Sequence, residues 1–353
     1  MREALRVVLP GGVDDPAAPS GGNVYDRRVC DELVRLGRPV HEIVAPGGWP
    51  RPGPAAREHL AGALAALPAG APVLLDGLVA CGVPELLEPH AGRLRLAVLV
   101  HLPLADETGL TGREAADLDA RERAVLHAAG LTVATSGWAA RRLADHHGLP
   151  AGRVHAVPPG TDAAPLAPAT ADGTRLLCLA SVTPRKGQDV LVQALASIAD
   201  LPWTCECAGP LGRDLGYVAR LRRLIERRGL GGRVLLTGPR PRTRLGRADL
   251  LVLPSRAETF GMAVTEALAR GVPAVASEVG GVPEALGDGP PGLLVPPGDD
   301  RALAAALRRW LTEPGLRAAL RTAARARRAA LPTWADAARR LDAVVDLLPE
   351  GAR

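Results

Sequence analysis

Three short segments hold the residues that could do chemistry. The richest is Ser255-Arg-Ala-Glu258-Thr-Phe260-Gly261-Met262-Ala-Val-Thr-Glu266-Ala-Leu, which carries two glutamates around a glycine. If a strand ends at Pro254 and a helix follows, Glu258 falls in the loop and Glu266 projects from the helix. The amides of Phe260, Gly261 and Met262 then point out of the helix N-terminus, a place that attracts anions. Carboxylates accept hydrogen bonds from hydroxyls, so the order is hydroxyl site, phosphate site, hydroxyl site. A nucleotide sugar presents sugar hydroxyls, diphosphate and ribose hydroxyls in that same order. The second segment is Ser181-Val-Thr-Pro-Arg185-Lys186-Gly187. Adjacent cations at a helix entrance oppose the helix dipole unless an anion sits there, so this pair reads as a phosphate grip. Two solvated surface charges are the plainer alternative. The third is Gly21-Gly22-Asn23, after the first apolar run and before the first helical pattern, where glycines let backbone amides approach an anion. Alone it could equally be a flexible loop.

Composition marks the same segments. Lys186 is the one lysine among 43 Lys and Arg residues, Phe260 the one phenylalanine, Asn23 the one asparagine and Met262 the one internal methionine. A GC-rich coding bias depletes such residues and lets Arg, Ala, Gly and Pro replace them wherever they suffice. The survivors then point to positions where substitutes fail, with chance survival as the alternative.

The elements that must position these residues follow from the periodicity. Apolar runs alternate with helical patterns, which predicts α/β architecture with parallel sheets covered by helices on both faces. Strands are predicted at 5–9, 40–44, 73–76, 94–101, 131–135 and 154–157, then at 175–180, 204–208, 234–237, 250–253, 274–276 and 293–295. Helices are predicted over 24–36 and 139–147, the latter capped by Ser136. The Pro- and Ala-rich stretch 158–173 reads as an interdomain linker. Domains are therefore expected at 1–165 and 170–330, with 331–353 as a further helix. In open parallel sheets ligands lie beyond the carboxyl ends of strands, and all three segments occupy such positions.

Other signals narrow the function classes. The chain has 353 residues, 47% of them hydrophobic and 23% charged, which suits two globular domains. The start reads as a first strand rather than a signal peptide, and no apolar run approaches the ~20 residues of a membrane span, so a cytoplasmic protein is expected. The five scattered cysteines fit neither a disulfide framework nor a zinc finger. The net charge is +5, and arginines cluster over 317–328 and at 339–340; a solvated helix face is the preferred reading over a membrane-binding patch. Aromatic residues make up 2%, leaving little to stack on bases, so no nucleic-acid partner is expected. Gly287-Asp-Gly289-Pro-Pro-Gly292 fits a dinucleotide glycine pattern but precedes a strand and lacks amides at its prolines, so it reads as a turn. Asp299-Asp300 reads as a helix cap rather than a metal motif, so no metal site and no cofactor are expected.

The two-glutamate segment resembles the signature of retaining family-four glycosyltransferases of the GT-B fold. The likeness continues through Gly271-Val-Pro-Ala-Val-Ala-Ser and Gly280-Gly281-Val-Pro-Glu284 and extends over nearly the whole chain from Gly21 to Trp334. It implies two facing Rossmann-like domains, with a C-terminal helix from Trp334 crossing back to the first. It also implies a hexosyltransferase-like, retaining enzyme that needs no metal, with a nucleotide diphosphate sugar as donor and a small-molecule or lipid acceptor. By the same resemblance, Glu258 contacts hydroxyls of the donor sugar and Glu266 the ribose, Arg185 and Lys186 hold the diphosphate, and Gly21 and Gly22 approach it. His101, in His101-Leu-Pro-Leu, matches a histidine beside the transferred sugar. His101, Arg185, Lys186 and Glu258 are thus the catalytic candidates. Two departures stand out: Ser181 replaces an arginine that many relatives carry, and the run 238–249, which flanks the base, is about four residues short for ordinary loop lengths. An epimerase or phosphorylase of the same fold, or a nucleotide-sugar sensor, are the alternatives. The sole lysine lies in the diphosphate motif, which disfavours a pyridoxal phosphate phosphorylase.

Overall fold

In a computed structural model, which describes residues 3–15, 19–289 and 291–349, the chain divides into two compact units, Met1–Gly160 with Pro332–Arg353, and Thr161–Leu331. The first unit holds β1 (Leu5–Pro10), β2 (Val40–Ala45), β3 (Pro72–Asp76), β4 (Arg95–Val100), β5 (Leu131–Ala134) and β6 (Val154–Ala156). Its helices are α1 (Gly21–Arg35), α2 (Pro54–Ala65), α3 (Gly77–Ala80), α4 (Pro84–Leu87), α5 (Gly112–Ala128) and α6 (Gly137–His147). The strands run in the order β2-β1-β3-β4-β5-β6, with parallel pairing throughout. Every residue of β3 and β5 is buried, as strands covered on both faces require.

The second unit repeats the plan with β7 (Arg175–Leu179), β8 (Thr204–Ala208), β9 (Val234–Gly238), β10 (Leu250–Leu253), β11 (Ala274–Ser277) and β12 (Gly292–Val295). Its helices are α7 (Gln188–Ala196), α8 (Leu215–Arg227), α9 (Met262–Leu268), α10 (Val282–Leu286), α11 (Asp300–Thr312) and α12 (Pro314–Arg328). The parallel order is β12-β11-β10-β7-β8-β9. The last helix, α13 (Trp334–Asp346), belongs to the first unit and packs on α1.

Each sheet reverses its winding once, and that reversal sets the sites. In the first sheet the chain moves outward from β1 to β2 and then returns to the other side of β1 with β3. In the second it moves outward from β7 through β9 and returns beside β7 with β10. Loops that leave a switch point diverge to opposite faces and open a crevice beyond the strand ends. The candidate segments after β1, β7 and β10 all leave these two points.

The structure departs from local expectation at the start of α1 and along α12. Gly21 and Gly22 are not loop residues but the first turn of α1, because Ser20 caps it by accepting the Asn23 amide at 3.0 Å. The division between the units falls inside the predicted linker 158–173, after Gly160, and the stretch beyond it is tied down: Ala167 N–H donates to the Arg270 carbonyl at 2.9 Å, and Thr170 donates through its amide and hydroxyl to Asp249, both at 2.7 Å. The arginines of α12 are not simply a solvated face. Arg317 donates to the Trp310 carbonyl, Arg321 to that of Thr170, Arg327 to that of Leu286, and Arg328 to those of Ala269 and Ala164. Asp299 does cap α11, accepting the Ala302 amide at 2.8 Å. The glycine-rich run ahead of β12 includes Pro290, which lies outside the described residues.

Candidate active site

In the second unit the loops after β7 and β10 are bound together residue by residue. After β7 the chain makes a 3-10 turn over Pro184–Lys186 and enters α7 through Gly187, at φ 66°. A Cβ on Gly187 would stand 2.1 Å from the Pro254 carbonyl oxygen, so only glycine lets the two loops touch. Arg256 N–H donates to the Arg185 carbonyl at 2.7 Å, the Arg256 side chain donates to the Pro184 carbonyl at 2.6 Å, and its guanidinium forks onto Asp189 at 2.7 and 2.8 Å. Arg185 in turn donates to the Ala257 carbonyl at 3.2 Å.

This contact brings three of the predicted residues together. Lys186 Nζ donates to Glu258 Oε1 at 2.5 Å, Ser255 Oγ donates to the same oxygen at 2.7 Å, and Arg185 Nη1 lies 4.0 Å from Glu258 Oε2. Glu258 is buried at 8% exposure, and the lysine side chain keeps 16%. The charges do not balance: two cations share one carboxylate. Burial pushes the Lys186 ammonium down and the neighbouring Arg185 adds to that shift, against the opposing pull of Glu258. Burial would raise Glu258, yet the same two cations hold it below the ordinary carboxylate range. Burial is the largest cause of the Lys186 shift, and an anion placed beside the ammonium would oppose it. The Arg185 Nε is buried with no hydrogen-bond partner among the described residues.

The rest of the segment takes other places. Phe260 is 6% exposed and joins the apolar core around β10 and α9, so its side chain packs and its backbone alone is offered to a ligand. Gly261, at φ 95°, starts α9 without a side-chain cap, and Met262 packs partly on the same core. Glu266 stands half-buried on α9. Ser181, at the departure from the family pattern, accepts the Gln188 side-chain amide on its carbonyl at 2.9 Å.

In the first unit the switch point gathers His101, Asp26, Asp76 and Gly22. His101 follows β4, Asp76 ends β3, and Asp26 and Gly22 lie one turn apart on α1. His101 Nε2 is 2.7 Å from Asp26 Oδ1 and 3.7 Å from Asp76 Oδ2. A Cβ on Gly22 would be 3.0 Å from the imidazole Cδ2, so the missing side chain makes room for the ring. Tyr25 meets that ring edge-on at 5.2 Å. Burial works against the imidazolium, but the Asp26 and Asp76 carboxylates outweigh it and raise His101 to about 9. Burial and the nearby Asp26 charge push Asp76 well up. Asp26 and Asp76 escaped sequence reasoning. The signals available were a carboxylate closing the apolar run Val73-Leu-Leu-Asp76, and a second placed four residues after Gly22 on one helix face.

Comparison with known proteins places this geometry. Residues 168–327 match the family described as glycosyl transferases group 1. A D-inositol 3-phosphate glycosyltransferase from Catenulispora acidiphila is 35% identical over 66% of this chain and 61% of its own length. One from Acidothermus cellulolyticus is 33% identical over 56% of this chain and 49% of its own. The chain thus spans between 49% and 61% of the length of these curated relatives. Among solved structures, sucrose-phosphate synthase from Thermosynechococcus elongatus superposes with a TM-score of 0.82 at 23% identity, covering 98% of this chain and 99% of its own. Anabaena HepE in complex with UDP and glucose gives 0.75 at 20%, covering 98% and 100%. The two switch-point sheets have the architecture of the GT-B fold, and residues 168–327 of the chain match the glycosyl transferases group 1 family.

Proposed function

We propose that the protein is a retaining glycosyltransferase, which moves a sugar from a nucleotide diphosphate sugar to a small-molecule or lipid acceptor without a divalent metal or cofactor. The observation that carries this reading is the excess of cation at the second switch point, where Arg185 and Lys186 share the single carboxylate of Glu258. A diphosphate supplies the missing negative charge. As the bond from the sugar to the phosphate breaks, charge accumulates on the leaving group, and preorganised donors count most there, ~3–4 kcal/mol for one donor. Attack by the acceptor from the face the phosphate leaves preserves the anomeric configuration. Glu258 has one oxygen committed to Lys186 and Ser255, which fixes its carboxylate for donor-sugar hydroxyls. Glu266 is assigned to the ribose, and Gly21, Gly22 and the amides from Phe260 to Met262 to the phosphates. His101 is assigned to the transferred sugar. Its Nε2 lies 2.7 Å from Asp26 Oδ1 and 3.7 Å from Asp76 Oδ2, and the two carboxylates favour its charged form.

HepE binds UDP, so UDP is the ligand to test first, by calorimetry with EDTA present. Binding is expected to persist in EDTA and to weaken at alkaline pH. The lowered pKa of Lys186 in the free protein means the ammonium is lost before the ordinary lysine range, and its attraction for phosphate goes with it. Glu258→Gln, which removes the competing carboxylate charge, is expected to bind UDP at least as well as the wild type, and Glu266→Ala to bind it less well. A requirement for magnesium or manganese, or UDP binding that is lost in Glu258→Gln while Glu266→Ala retains it, would overturn these assignments.

A further inference from the structure

The first unit carries a cluster of metal-ligating side chains away from the residues assigned above. It lies where the C-terminal end of α6 meets α5. Asp119, His146 and His147 each offer one ligand atom, and these atoms lie within 4.8 Å of one another. His146 Nε2 is 2.5 Å from Asp119 Oδ1, and the two imidazoles meet at a centroid distance of 4.7 Å. His147 is 1% exposed, and its Nε2 is 3.0 Å from Glu122 Oε1. Its Nδ1 is buried and has no hydrogen-bond partner among the described residues. Buried nitrogens are seldom left so.

That orphan nitrogen has a chemical explanation. A histidine that donates one ring N–H to a carboxylate presents the other nitrogen as a lone pair of fixed direction and raised basicity, which is the outer-shell arrangement of metal-bound histidines. Glu122 is itself held, since its other oxygen accepts the Leu104 amide at 3.0 Å. Backbone contacts fix the two histidines further: Arg123 donates to the carbonyls of His146 and His147 at 2.8 and 3.0 Å. Two imidazoles and one carboxylate form a mixed N/O set that suits zinc and its neighbours in the first transition row rather than magnesium. The ligand atoms need to close only modestly, because zinc bonds of ~2.0–2.2 Å place them ~3.3 Å apart in a tetrahedron. His146, with 54% of its side chain exposed, is free to make that adjustment.

We propose that Asp119, His146 and His147 bind a divalent transition metal of the zinc class, with Glu122 as the positioning residue of His147, and that the ion braces α5 against α6. The site is structural, distinct from the sugar-transfer residues, and leaves an outer coordination position to water. The test uses untagged full-length protein. Zinc titration followed by calorimetry is expected to give one tight ion per chain. Thermal melts in zinc at ~100 times its Kd are expected to rise by about 5 °C, whereas magnesium leaves them unchanged. Asp119→Asn and His146→Gln lie near the surface and are expected to weaken zinc at least tenfold without changing the metal-free melting temperature or UDP binding. Glu122→Gln should weaken zinc by about 10–100-fold; if it does not fold, the two surface variants decide. Melts unmoved or lowered by zinc, or zinc bound as tightly by both surface variants as by the wild type, would overturn the proposal.

Discussion

At Lys186 a compact ammonium donates to Glu258 at 2.5 Å while Arg185 stands beside it and the next residue is pressed against the Pro254 carbonyl. Outside histidine, the chain uses arginine at every other basic position, and the structure shows what arginine is used for. Arg93, Arg153 and Arg233 reach with their forks to backbone carbonyls at helix and strand ends, and the arginines of α12 do the same. A planar fork on a long stem suits such stapling, whereas Lys186 meets Glu258 as a compact point charge and, on the proposed reading, would meet phosphate in the same way. Lys186→Arg is therefore expected to lower turnover ~100-fold although charge is kept, with the loss in turnover rather than donor binding, because leaving-group charge grows toward the transition state. Steady-state kinetics beside Lys186→Ala, with melting temperatures as a folding control, measures this. Near-normal turnover in the arginine variant would mean that the lone lysine is a relic of codon drift.

Among elements, the loops after β7 and β10 act as one because their strands are neighbours at the switch point. Gly187 is the test of that union. Its φ of 66° strains any L residue, and a Cβ would lie 2.1 Å from a backbone oxygen that cannot rotate away. Gly187→Ala is expected to cost about 2–3 kcal/mol and to separate Lys186 from Glu258, so that UDP binding falls together with the melting temperature. A variant that melts normally and keeps full UDP affinity would show that the loops do not depend on this contact. The alternating βα pattern made the twelve strands among the described residues legible from sequence, since buried parallel strands are near-continuous apolar runs with clear edges. Loop residues such as Arg185, Lys186 and Glu258 were legible through residue type, motif and the rule that sites follow strand ends. What sequence could not show was pairing at long range. Lys186 and Glu258 are 72 positions apart, and Asp26, Asp76 and His101 meet only because β3 lies beside both β1 and β4. The start of α1 was misplaced for a local reason. Gly21 and Gly22 read as loop formers, but Ser20 satisfies the first turn and Gly22 serves inside it to admit His101.

At the scale of the molecule, the first unit is made from two distant pieces of chain. Gly160 leaves it where α13 returns, so closely that a Cβ on Gly160 would lie 2.3 Å from the Trp334 backbone. Trp334, Leu341 and Val345 of α13 are buried at 4%, 0% and 1% exposure. Arg38, itself 4% exposed, pairs with Asp342 at 2.9 Å and with Asp346 at 2.6 Å. Tyr25 connects this helix to the site: its ring meets Trp334 at 5.9 Å and His101 at 5.2 Å, and its hydroxyl donates to the Val157 carbonyl at 3.0 Å. Removing α13 would uncover an apolar face of α1 and strand the Arg38 guanidinium. The loss of one buried tryptophan alone costs about 3–5 kcal/mol, and a buried cation without its partner adds a comparable amount. Together these approach the whole stability of a typical domain, about 5–15 kcal/mol. Residues 1–160 alone are therefore expected to show no cooperative melt by circular dichroism and to be cut rapidly by protease. Adding a peptide of residues 332–353 should restore protection, because the helix carries its own capping box at Thr333 and Asp336. A cooperative melt of residues 1–160 without the peptide would show that α13 is an attachment rather than part of the core, and the support it lends Tyr25 and His101 would then have to come from β4 and α1 alone.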